Sequence, residues 1–169
     1  MRALTYRLLP LVLLAVVVAA TVVVLCRKEP VVPRETVTIN GRAWHVELAL
    51  TLERQHEGLA HRTSMPPDHG MLFVFEEPQP HQFYMLNCQM AIDIAFIDAD
   101  HRVIRTYTMP AEPGVAEEKL KLYPSVEPAQ FALEVGEGEL ARAGVQPGQK
   151  VDFSADIPGT TKAQPSAGR

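Results

Sequence analysis

Sulfur and nitrogen donors gather in the middle of this chain, at His81, Met85, Cys88 and Met90. Thioether and thiolate ligands suit a soft ion such as Cu(I), so Met85, Cys88 and His81 form one candidate for metal handling. The same residue types are routine core fillers. Unbroken strand alternation would also set residues 85 and 88 on opposite faces. Carboxylates offer a second chemistry. Asp93 stands inside the run Met90-Ala91-Ile92-Asp93-Ile94-Ala95-Phe96. A charge buried there must be paired or hydrogen-bonded. Asp93 therefore either belongs to a ligand or metal pocket, or is an ion-paired structural acid with Arg54 or Arg62. Asp98 follows in the next turn, and an unbroken strand points the two carboxylates to opposite faces. A hydrolase acting on cell-envelope material would rest on Asp93 or Asp98 as its acid or base. Asn87 either closes a turn through its own backbone or orients a ligand's polar group.

The chain has no phosphate loop, G-x-S-x-G, G-x-G-x-x-G or H-E-x-x-H motif. No cysteine-enzyme signature surrounds Cys88. With no catalytic signature, the chain reads as a binding domain for a small ligand or a protein partner, and no cofactor is implied.

Charge narrows the partners. Arg2, Arg7, Arg27 and Lys28 sit in the first 28 residues with no acid, so the rest of the chain is acidic. Nucleic-acid affinity comes largely from clustered cations, and no Lys/Arg-rich run occurs, which argues against that class. The other cysteine, Cys26, lies at the end of an apolar segment, so no disulfide framework is expected within the domain.

That segment, Leu8 to Cys26, carries cations at both ends. Its length meets the roughly 20 apolar residues of a membrane span and exceeds a signal-peptide core. An uncleaved transmembrane helix is expected, with the membrane as partner through residues 8–26. Leu25 stands where lipid attachment to Cys26 would require a small residue. The balance of flanking cations places the domain outside the cytoplasm. The expected location is a bacterial inner membrane, single-pass, with the domain facing the periplasm or cell exterior.

The elements that must position these side chains are mostly strands. Glu35–Asn40 alternates, Asn40-Gly41 is a hairpin signal, and Arg42–Leu50 returns with Trp44, Val46, Leu48 and Leu50 on one face. Thr51 caps a helix expected from Leu52 to about His61, with Gly58 weakening it. Further strands are expected at 71–75, 82–86, 92–97, 102–108, 131–135 and 150–153. A short helix is expected at 138–143, and residues 109–128, rich in proline, read as a long irregular stretch. The result is a mainly β or α+β fold, one compact barrel-like domain of about seven or eight short strands with one or two short helices. The organisation is an anchor or signal at 1–28, a linker at 29–35, the domain at 36–154 and a disordered tail at 155–169.

Several separated segments resemble a known family. They are Glu53, Arg54, Gly58, Leu59 and Arg62, then GMLFVF (70–75), then FYMLNCQMAIDIAFID (83–98). FALEVGEG (131–138) and GVQPGQKV (144–151) follow in order. Together they are similar to the domain-of-unknown-function family 192. The resemblance implies a compact β-rich domain, commonly exported or membrane-tethered, and it implies no activity. The chain departs from the family pattern at Ala60 (usually Met), Tyr84 (Trp), Leu86 (Lys), Cys88 (Thr) and Ala91 (Pro). Motif position assigns Arg62, Tyr84, Asn87 and Asp93 to the expected ligand pocket.

Overall fold

The computed structural model describes residues 35–154 and 157–158. The expected anchor at 8–26, and most of the linker and tail, lie outside them. Among the described residues no helix is long and apolar enough to cross a membrane.

The chain opens with the hairpin that Asn40-Gly41 predicts. β1 (Glu35–Ile39) and β2 (Arg42–Ala49) pair antiparallel with Ile39 opposite Arg42. Asn40 and Gly41 take φ of 51° and 79°, the left-handed values a two-residue primed turn requires. Thr51 then caps α1 (Leu52–Glu57), its Oγ1 accepting from the Arg54 amide at 3.2 Å. The helix stops earlier than its sequence pattern suggests. Gly58 adopts φ 52° and ends it after six residues. Leu59, just beyond, is buried, whereas Leu50 and Leu52 are exposed, so the face assigned to Leu50 does not hold.

β3 (His69–Gln79) runs parallel to β2 and antiparallel to β8 (Ala129–Gly136). β5 (Ile92–Ile97) pairs with β8 and with β6 (Val103–Met109). β9 (Val151–Phe153) closes on β1. The order across the sheet is β6-β5-β8-β3-β2-β1-β9. The seven strands curl into a half-barrel. Its two edges touch at one end, where Arg102 bridges Lys150 and the Val103 amide donates to the Gln149 carbonyl.

The expected strand at 82–86 shrinks to β4 (Gln82–Phe83), which pairs with β7 (Tyr123–Pro124). Residues 84–91 instead turn back on themselves, with the Cys88 amide donating to the Met85 carbonyl and Asn87 at φ 56°. The long stretch 110–128 is irregular apart from β7 and a turn of 3-10 helix at Glu117–Lys119.

Two apolar layers sandwich the sheet. All seven strands contribute to the inner one, including Trp44, Leu72, Ala95 and Phe131, which defines it as the concave side. α2 (Glu139–Arg142) caps it through Leu140, and Ile157 is buried there too. The outer layer is centred on β3, β5 and β8, with Met71, Phe73, Ile94 and Ala132 among its members. Leu59, Met85 and Cys88 come down onto it from the loops, and Tyr123 from β7. β3, β5 and β8 are thus buried on both faces, which is why they read as near-continuous apolar runs.

Candidate functional site

The loops over the outer face do not cover it fully. They leave a cleft of about 680 Å³ between α1, the far half of β3 and the 82–88 loop. Phe73, Phe75 and Phe83 form an aromatic wall, with ring centroids 4.9 Å apart for Phe73 and Phe83. Leu50, Leu52 and Tyr84 stand partly exposed at the rim.

Glu134 lies in the wall beneath Gly58. It is 6% exposed, and its Oε2 has no hydrogen-bond partner. A Cβ built on Gly58 would sit 3.8 Å from that oxygen. The reason lies in strand register. Glu134 faces Met71 on β3 and Ile94 on β5, neither of which offers a donor. Burial pushes its carboxyl up from 4.5 to about 8, with Arg62 opposing weakly. Glu134 is therefore protonated at neutral pH. A neutral carboxylic acid can donate as well as accept a hydrogen bond. An unpaired buried polar group is costly and a recurrent mark of function.

Arg62 is near enough to feel Glu134 but is committed elsewhere. It donates twice to Glu47, at 2.7 and 2.8 Å, and Arg54 joins the same carboxylate at 2.5 Å. The Arg62 hydrogen bonds hold Glu47 below its ordinary value. Cys88 is also near enough to feel Glu134. Burial, then the Glu134 charge, raises its thiol to about 11, so it is no thiolate at neutral pH.

The residues assigned from sequence separate. Tyr84 lines the cleft; Arg62, Asn87 and Asp93 do not. The Asn87 carbonyl accepts from the His61 amide and joins two loops. Asp93 faces the inner layer, where its carboxylate accepts from Thr108 Oγ1 at 2.7 Å and the Leu140 amide at 3.1 Å. It pairs with neither Arg54 nor Arg62, a correction to the ion pair expected, because both arginines lie across the sheet with Glu47. Asp98 accepts from the Asp100 and Arg102 amides in its turn. Both aspartates offered for a hydrolase are thus taken up by the fold.

Asp93→Ala would strand the Leu140 amide and the Thr108 hydroxyl. It is expected to cost about 2–3 kcal/mol in urea unfolding. A loss near zero would show that the carboxylate is solvated and not structural.

The sulfur candidates also part company. Met85 and Cys88 enter the same outer layer, because the chain turns there instead of alternating. His81 stacks on Phe75 with centroids 3.5 Å apart, at the Ala129 end of β8. Burial lowers its pKa. Five residue steps along the strand separate Ala129 from Glu134, about 16 Å of backbone. Among the described residues no three His, Cys, Asp or Glu side chains cluster as metal ligands.

The fold and site define a class: a small half-barrel domain with an aromatic cleft walled by a buried, unpaired acid. The chain belongs to the domain-of-unknown-function family 192, described as "Uncharacterized ACR", whose model matches residues 35–153. Three of the departures from its pattern, Tyr84, Leu86 and Cys88, line the cleft. Two crystal structures are similar. A candidate transcription regulator from Sinorhizobium meliloti 1021 is 33% identical, with 75% of this chain and 98% of that one covered at a TM-score of 0.64. A protein of unknown function from Novosphingobium aromaticivorans DSM 12444 is 32% identical, covering 73% and 89% at 0.63. No curated protein matches the chain.

Proposed function

We propose that this is a binding domain, held at the membrane by residues 8–26 on the extracytoplasmic side, that takes a small organic ligand into the cleft beside β3. One observation carries the reading: Glu134, buried and without a partner for Oε2, in the wall of a cavity with one aromatic side. Ligand sites combine apolar walls with polar groups that fix orientation. The cleft volume lies within the range of roughly 300–1,000 Å³ that such sites occupy. A ligand group bonded to Glu134 would satisfy the orphan oxygen and offset the cost of its burial. Tyr84 stays in the proposal as a rim residue; Arg62 holds the frame through Glu47. Direct nucleic-acid binding finds no support in the charges, since acids outnumber Lys plus Arg 20 to 16 in the whole chain.

Native mass spectrometry of the full-length protein, purified gently, tests this. The expected result is a retained mass of drug-like size that is lost in Glu134→Gln. A bare mass in both proteins, after incubation with a fragment library of aromatic compounds, would remove the small-ligand reading and leave a protein partner.

A further inference from the structure

We infer that the ligand is an organic cation, an ammonium group carried on an apolar or aromatic body. This rests on the cleft being a binding site, as proposed above. The argument comes from what surrounds the cavity. Four carboxyl groups line it, from Glu57, Glu76, Glu77 and Glu134, and among the described residues no lysine or arginine does. Glu57 is engaged by Arg54 at 2.6 Å. Glu76 and Glu77 are exposed and make no ion pair among the described residues. The cleft therefore carries carboxylates without an ion pair among the described residues, together with an aromatic wall.

An aromatic face attracts a cation through its quadrupole when the charge lies within about 6 Å of the ring centroid. Half-buried Phe83 and exposed Tyr84 supply such faces, whereas Phe73 and Phe75 are buried and His81 covers one face of Phe75. The buried oxygen of Glu134 then serves as the acceptor for an N–H donor on the ligand. The alternatives fit less well. An anion would meet four carboxyl groups and, among the described residues, no lysine or arginine. A bare metal ion needs several ligands converging at one point, and the described residues hold no such cluster. An ammonium with an apolar body satisfies the wall, the rim and the orphan oxygen together.

The test uses three ligands of one shape. Phenethylamine, phenethyl alcohol and phenylacetate differ in the charge of one end group. Isothermal titration of the full-length protein is expected to show the amine binding at least about tenfold tighter than the alcohol, with phenylacetate weakest. A bound ammonium favours the ionised carboxylate and draws the proton off Glu134, so Glu134→Gln, which cannot ionise, should remove most of that preference. Glu76→Gln/Glu77→Gln, a surface change that leaves the core intact, should weaken the amine about two- to fivefold and flatten its salt dependence. If the alcohol or phenylacetate binds as tightly as the amine, the cation inference fails while the binding site stands. If none of the three saturates at millimolar concentration, both fail.

Discussion

Relative to Glu134→Gln, the wild-type protein is expected to lose about 1.4 kcal/mol of stability per pH unit between roughly pH 5 and 8, and then to level off. The folded carboxyl keeps its proton up to about 8, whereas its ordinary value is 4.5. Between those values the folded state binds more protons than the unfolded chain. Raising the pH therefore favours unfolding, the opposite of the usual carboxylate behaviour. Below the window both states hold the proton, and above it neither does. Other groups titrate as well. Glu47 is held low by Arg62, and Glu139 is held low against its burial by Arg142, Trp44 and Arg42. Their contributions are present above 4.5 and fade as the pH falls through their folded values. His81, lowered by burial, favours the folded state less as the pH drops below 6.5. Comparing two proteins that differ only at Glu134 cancels all three. Urea unfolding at half-unit steps from pH 5 to 9 gives the curves. Parallel curves would mean that Glu134 ionises freely, and the cleft would lose its acid. The amide brings its own unpaired donors, so the slope of the difference decides the matter, whatever its offset at pH 5.

Asp93 and Glu134 show where sequence reading works and where it stops. Each is an acid inside an apolar strand, and both are as buried as that setting requires. Local sequence treats them alike. Cross-strand register separates them, since Asp93 meets Thr108 whereas Glu134 meets Met71 and Ile94. No short-range pattern specifies which residue of a distant strand lies opposite. The hairpin at Asn40-Gly41, the cap at Thr51 and the strand Ile92–Ile97 were legible because each depends on neighbours along the chain. The segment 82–86 misled for the opposite reason. Its aromatic and sulfur-bearing residues suit a strand, but Phe83, Met85 and Cys88 all pack against one layer. A turn at Asn87 lets them reach it, and strict alternation would not. FALEV could be read as a strand; that its one acid sits unpaired under Gly58 depends on contacts between segments far apart in sequence.

Gly70→Ala is expected to be the most destabilising single-methyl change in the domain, at about 3 kcal/mol or more. Gly70 lies on β3 opposite Val135, with Val46 of β2 on its other side. A Cβ there would come within 2.5 Å of the Glu134 carbonyl oxygen and 3.0 Å of Val135 Cγ1. A flexible side chain could swing away from such a contact; a ladder carbonyl cannot. Relief requires β3 and β8 to separate, and they form the centre of the sheet, buried on both faces. The cost is a large share of the roughly 5–15 kcal/mol by which domains are stable. Gly136, at the end of β8, provides the control, because a Cβ there meets nothing within 4 Å. Gly136→Ala should stay within about 1 kcal/mol of wild type. Thermal melts of both variants at pH 6, where Glu134 is protonated, make the comparison. Equal melting temperatures would show that β8 can move, and Glu134 would then not be held in place. A large loss confined to Gly70→Ala would mean that the strand spacing fixing the core also fixes the acid in the cleft wall. On that result the same variant should bind phenethylamine more weakly even below its melting temperature.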